Sequence, residues 1–174
     1  MQSERTHPTQ APRALGRSGI TTVVATALTL LVLAATHAGA QASLSGIQTL
    51  PSADDFATTV ERLEQAIADE GLTLLTMIDH AANAQNAGLE LPPTTVFLFG
   101  NPEAGTPLMQ AAPTFALDLP QRMLVWEDAN GDVFVTWRDP TVLAEEHDLS
   151  PDHAPLPNIA ALLEALARTA AAAP

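Results

Sequence analysis

Three features of the sequence predict an α+β fold in which helices pack on one face of a curved antiparallel sheet. They are an amphipathic stripe near residue 60, a strong hairpin signal at Asn130-Gly131, and a second amphipathic stripe near the C-terminus. The first stripe places Phe56, Val60, Leu63 and Ile67 four, three and four residues apart, which predicts a helix over Asp54 to Glu70. Asp54 and Asp55 favour its start. Gly71 suits the left-handed residue that ends it.

Upstream, residues 43 to 53 are small and polar around Ile47 and Leu50, so they are expected to form a linker or a short edge strand. Downstream, Leu72 to Asp79 is apolar on both parities, which fits a well-buried strand. Asp79 is then placed to cap a short alanine-rich helix that carries His80 at its start and stops at Gly88. Pro92 and Pro93 turn the chain into a strand at Thr94 to Phe99. Thr106 to Gln110 is expected to form one or two helical turns, and Pro113 to Pro120 to be extended.

In the hairpin, a two-residue loop of Asn130-Gly131 pairs Ala129 with Asp132, Trp126 with Val135 and Leu124 with Trp137. One face then carries Leu124, Trp126, Val133, Val135 and Trp137. Both tryptophans are therefore expected in the core rather than stacked on a ligand. After Pro140 a short helix brings His147 towards its C-terminus, and residues 150 to 157 form a proline-rich break. Asn158 is expected to cap a final helix carrying Ile159, Leu162, Leu163 and Leu166, and the alanine tail to fray.

Residues 1 to 42 read as a signal peptide. Arg5, Arg13 and Arg17 precede a 16-residue apolar run from Ile20 to Ala35, and small residues offer cleavage at Ala40 or Ala42. The run is shorter than the roughly 20 residues that span a bilayer. A cleaved signal and a periplasmic or secreted product are expected, with membrane contact only through this segment if it stays uncleaved. Cleavage removes three arginines and Glu4, leaving four arginines against nineteen carboxylates, a formal charge of −15 with no lysine. Such a surface repels nucleic acid and anionic headgroups. The chain has no cysteine, so disulfides, thiol chemistry and thiolate metal sites are excluded and one hydrophobic core must supply the stability.

Gly100 and Gly105 follow a strand with the spacing of a phosphate-binding loop, but the two positions after Gly105 are Thr106 and Pro107 instead of Lys and Ser or Thr. Pro102 and Pro107 also delete amide donors, so no nucleotide is expected. A narrower option leaves the N–H groups near Gly105 and Thr106 to receive a small anion. Asp79, His80 and Asn83 lie within one helical turn, where His80 could act as a base or metal ligand or serve a structural hydrogen bond. His147 with His80 and a carboxylate would suit zinc or another divalent ion, provided two distant segments meet. His153 is expected in a solvated loop. A serine hydrolase is poorly supported, because none of Ser43, Ser45, Ser52 and Ser150 lies in G-x-S-x-G.

A series of motifs stands in order at Asp79-His80-Ala84, Gly88-Leu89-Leu91-Pro93-Thr94, Phe99 to Pro102, Gly105 to Met109, Ala116 to Pro120, Gly131-Val133, Asp139-Pro140-Leu143 and His147. This series resembles the bacterial and archaeal family known as domain of unknown function 302, over about residues 50 to 150. One departure is Gln121-Arg122, where the family usually has an apolar residue and then a basic one. The resemblance implies a β-α-β(4)-α fold likened to the saddle of TATA-binding proteins, and a homodimer. It implies no established activity, and the fold analogy does not license DNA binding. The expected organisation is a family domain over residues 54 to 150, followed by a C-terminal helix and tail over 151 to 174.

The expected function is a small-molecule- or metal-binding module whose pocket is rimmed by Asp79, His80, Gly100, Asn101, Gly105, Thr106, Asp118 and His147, with Asn83 nearby. The rival is a metal-assisted hydrolase or redox enzyme using His80, oriented by Asp118. A third possibility is a structural or interaction protein without a ligand.

Overall fold

The computed structural model describes residues 46–172. The signal segment expected over residues 1 to 42 and the last two residues of the tail lie outside the described residues. In chain order the elements are β1 (Ile47–Pro51), α1 (Phe56–Asp69), β2 (Thr73–Asp79), α2 (His80–Asn86), β3 (Thr94–Gly100) and α3 (Pro102–Ala111). A 3-10 turn (Pro113–Leu117), β4 (Gln121–Glu127), β5 (Val133–Arg138), α4 (Pro140–Glu146) and α5 (Leu156–Ala170) complete it. The five strands form one antiparallel sheet in the order β1-β5-β4-β3-β2. The α+β architecture expected from the sequence is the one observed.

The first helix forms as its sequence dictates. Asp55 accepts a hydrogen bond from the Thr58 amide at 2.8 Å, and Gly71 takes φ +67° after the last turn. Leu63 and Ile67 are completely buried, each worth about 1.5–3 kcal/mol of apolar transfer. α1 packs against α5, whose Ile159, Leu163 and Leu166 are buried in turn. Together they cover the sheet face carrying Phe97, Phe99, Met123, Val125, Val135 and Trp137.

The 43 to 53 segment supplies an edge strand, since β1 pairs with β5. β2 forms the other edge of the sheet and five of its seven residues are exposed, so the well-buried strand expected there is not observed. Further expectations need correction. The hairpin is offset by one residue from the expected pairing: Trp126 faces Phe134 and Met123 faces Trp137. The cause is Asp128, whose carboxylate accepts from the amides of Asn130 and Asp132 at 2.8 and 3.0 Å. That bracket makes a three-residue loop of Ala129, Asn130 and Gly131, with Gly131 at φ +86°. A one-residue shift exchanges the faces. Trp137 stays in the core, whereas Trp126 moves to the opposite face, stacks on Phe134 with ring centroids 4.7 Å apart, and donates to Thr136 Oγ1 at 2.9 Å.

Second, α3 begins at Pro102, four residues earlier than expected, because Asn101 caps it by accepting from the Glu103 amide at 2.8 Å. Third, residues 113–117 coil into a 3-10 turn instead of extending, which seats Phe115 fully in the core. Fourth, the final helix starts at Leu156, so Asn158 lies inside it; Pro157 fits the first turn, where its missing amide costs nothing. The start of the alanine tail is docked as well: Ala170 and Ala171 are buried, and Ala171 O accepts from the Ala53 amide at 3.0 Å.

Candidate functional site

β3 carries its apolar residues to Gly100, and the chain then turns at Asn101 into α3. A cavity of about 390 Å³ opens at this end of the sheet. Its walls come from Leu72 just before β2 and Leu75 within it, the end of β3 (Phe99, Gly100), one side of α3 (Gly105, Met109), the loop before β4 (Leu119) and the outer stripe of α5 (Leu162). Asn101 and Thr106 add polar groups at the rim, and none of the lining residues is ionisable. Gly105 is buried, and a methyl there would lie 3.2 Å from Leu119 Cδ1. Glycine at this position lets α3 approach the Leu119 loop closely.

Four of the residues expected to rim a pocket therefore do so: Gly100, Asn101, Gly105 and Thr106. The anion-binding option does not survive the geometry. The amides of Ala104 and Gly105 both donate to Asn101 O, at 3.1 and 3.0 Å, and the Glu103 amide is taken by the Asn101 side chain. The first turn of α3 has spent these donors on its own cap.

Beside the cavity, Asp118 and His147 meet across 29 residues of sequence, with Nε2 and Oδ2 2.7 Å apart. The side chains of His147 and Asp118 are 7% and 12% exposed, respectively. Asp118 sits between Leu117 and Leu119, the latter a cavity wall. Its second oxygen accepts from Arg122 at 3.1 Å and from Arg138 at 3.5 Å, and Arg138 also reaches Glu146 at 3.1 Å. The other imidazole nitrogen lies 3.0 Å from Thr114 Oγ1, and the ring rests on Phe115 with centroids 5.0 Å apart.

His80 is brought to neither feature. Asp79 ends β2 opposite Thr95, whereas Gln121, three residues after Asp118, pairs with Phe99. Four residues of β3 separate these levels, roughly 13 Å at the usual rise per residue. His80 and Asn83 are exposed, and the Asp79 carboxylate is engaged as the cap of α2, accepting from the Ala82 amide at 2.8 Å. A metal shared by His80 and His147 and an Asp118 that orients His80 both require ends of the sheet that do not meet. Among the described residues no group of three or more His, Asp or Glu side chains converges as a metal site. His153 lies in the turn before α5, its amide donating to Ser150 O at 2.9 Å.

The model of the family described as Domain of unknown function DUF302 matches residues 48–172. The chain belongs to this family. A solved member, an uncharacterized conserved DUF302 protein from Bacillus stearothermophilus, superposes with a TM-score of 0.65 at 21% identity, covering 72% of this chain and 98% of that one. That likeness concerns the fold. Proteins named Fluoride-specific ion channel FluC 1 from Brucella suis and Brucella abortus are 47% identical over 105 residues, 60% of this chain. This DUF302 chain spans about two fifths of their length, 41% and 39% respectively.

Proposed function

We propose that this DUF302 domain is a binding module for a small, uncharged, largely apolar molecule held in the cavity at the Gly100 end of the sheet. The observation that carries this reading is the cavity itself, whose 390 Å³ falls in the range of ligand sites, about 300–1,000 Å³. Apolar walls with a few polar groups at the rim are the usual composition of such sites. The absence of ionisable lining residues and the acidity of the chain both favour a neutral ligand, because a bare anion there would meet no compensating cation. The signal-like segment favours a periplasmic or secreted module, and the acidity speaks against nucleic acid. A homodimer through the face carrying Trp126 and Phe134 belongs to the same proposal.

The test is a titration of the full chain with 1-N-phenylnaphthylamine, a neutral apolar fluorophore. Saturable binding at one site per chain is expected, and Ala104→Trp, which projects an indole into the cavity, should abolish it while leaving the circular dichroism unchanged. Probe uptake that never saturates, or that Ala104→Trp leaves intact, contradicts the proposal.

The Brucella relatives favour a second reading, in which the domain accompanies a membrane channel. Most of the length of those relatives lies outside the match, and no helix among the described residues is long and apolar enough to cross a membrane. Deletion of the gene for this chain should then raise fluoride sensitivity of the host, and unchanged growth in fluoride removes this reading.

A further inference from the structure

Thr114, His147 and Asp118 form a hydrogen-bonded row outside the cavity. Thr114 is exposed, its Oγ1 is 3.0 Å from His147 Nδ1, and His147 Nε2 is 2.7 Å from Asp118 Oδ2. The order is hydroxyl, imidazole, carboxylate, with both distances inside the reach that marks a nucleophile, its base and the group that orients the base. Arg122 and Arg138 hold the other oxygen of Asp118, and a carboxylate only accepts, so a hydrogen on Nε2 suits the 2.7 Å contact. In the Nε2–H tautomer Nδ1 presents its lone pair to the threonine hydroxyl, and this is the form the proposal uses. Phe115 packs on the ring, which limits its rotation.

We propose that this row is an activated-nucleophile site at which Thr114 accepts an acyl group from small carboxylic esters. The proposal stands apart from the cavity ligand. In the first step Thr114 Oγ bonds to the ester carbonyl carbon while its proton passes to His147 Nδ1. The carbon–oxygen bond to the leaving group then breaks, and the departing alkoxide or phenolate takes the proton from Nδ1. A water molecule repeats the sequence on the acyl-threonine, so that ester and water yield acid and alcohol. Thr114 and His147 would be the catalytic residues, and Asp118 a positioning residue. The substrate class is restricted to small esters with good leaving groups, because Thr114 lies at the surface.

The experiment treats the full chain with p-nitrophenyl acetate and follows p-nitrophenolate release together with the intact mass. One acetyl group per chain, mapped to Thr114, is expected. Thr114→Val should lower the rate by about 10²-fold or more, the lower end of what positioned acid–base catalysis supplies, and Thr114→Ser should retain it. Asp118→Asn should slow acylation and shift the His147 nitrogen NMR signature towards Nδ1–H, since an amide can donate to Nε2. Circular dichroism checks that each variant folds. Acetylation at another residue, an unaffected Thr114→Val protein, or Asp118→Asn acylating at the wild-type rate overturns the proposal.

Discussion

Asp118 Oδ2 stands 2.7 Å from His147 Nε2, and this contact ties the end of α4 to the loop that walls the cavity. The same carboxylate neutralises Arg122 and Arg138, so it joins β4, β5 and α4 through one side chain. Asp118→Ala should therefore destabilise the domain by about 1.5–3 kcal/mol, the range for a lost hydrogen bond to a charged group. Arg122→Ala, which removes a half-exposed partner, should cost less than about 1 kcal/mol. Urea denaturation midpoints of the two variants check the order.

The two tryptophans should separate in the same assay. Trp137 is 7% exposed in the core, so Trp137→Ala is expected to cost about 3–5 kcal/mol. Trp126 lies on the half-exposed face against Phe134, so its removal should cost clearly less, and iodide should quench its fluorescence preferentially. Equal quenching of both residues would argue for the alternative hairpin register.

Most of the architecture was legible because local signals agreed. The stripe of Phe56, Val60, Leu63 and Ile67, the capping aspartates and Gly71 all pointed to the same helix, and the structure contains it. The hairpin itself was equally legible. Its register was not, because the Asn130-Gly131 rule competes with an aspartate bracket at Asp128 that shifts the pairing by one residue. Half of the pocket rim was readable, since Gly100, Asn101, Gly105 and Thr106 lie together in sequence. The α5 wall at Leu162 was missed although it belongs to the expected stripe, because periodicity does not say which stripe residues face a cavity. The meeting of Asp118 with His147 is a tertiary event 29 residues apart, and no local pattern encodes it.

The Asp128 bracket carries a pH dependence. Amide hydrogen bonds, foremost from Asp132 and then Asn130, hold its carboxyl below the usual carboxylate range. A depressed folded value means the stabilisation is present above the unfolded carboxylate range and is lost as pH falls through the folded one. The stability gap between the wild type and Asp128→Ala should thus narrow on acidification. Urea midpoints at neutral and acidic pH measure it, and a gap that widens towards acid contradicts the role of Asp128.

Gly105→Ala probes the cavity wall from behind. The new methyl meets Leu119 Cδ1 at 3.2 Å, a contact that a side-chain end relieves by moving a few tenths of an ångström. Stability should change by less than about 1.5 kcal/mol, the usual limit for a small tolerated core change, while affinity for 1-N-phenylnaphthylamine falls as Leu119 shifts. Parallel thermal melts and probe titrations distinguish the two effects.

The central claim is that the apolar cavity receives the ligand, and amide chemical-shift mapping of the full chain titrated with 1-N-phenylnaphthylamine tests it most directly. Saturating shifts centred on Gly100, Gly105, Thr106 and Leu162 are the expected result. Shifts centred instead on Trp126 and Phe134, with the cavity amides unmoved, would contradict it and assign the interaction to the uncovered face of the sheet.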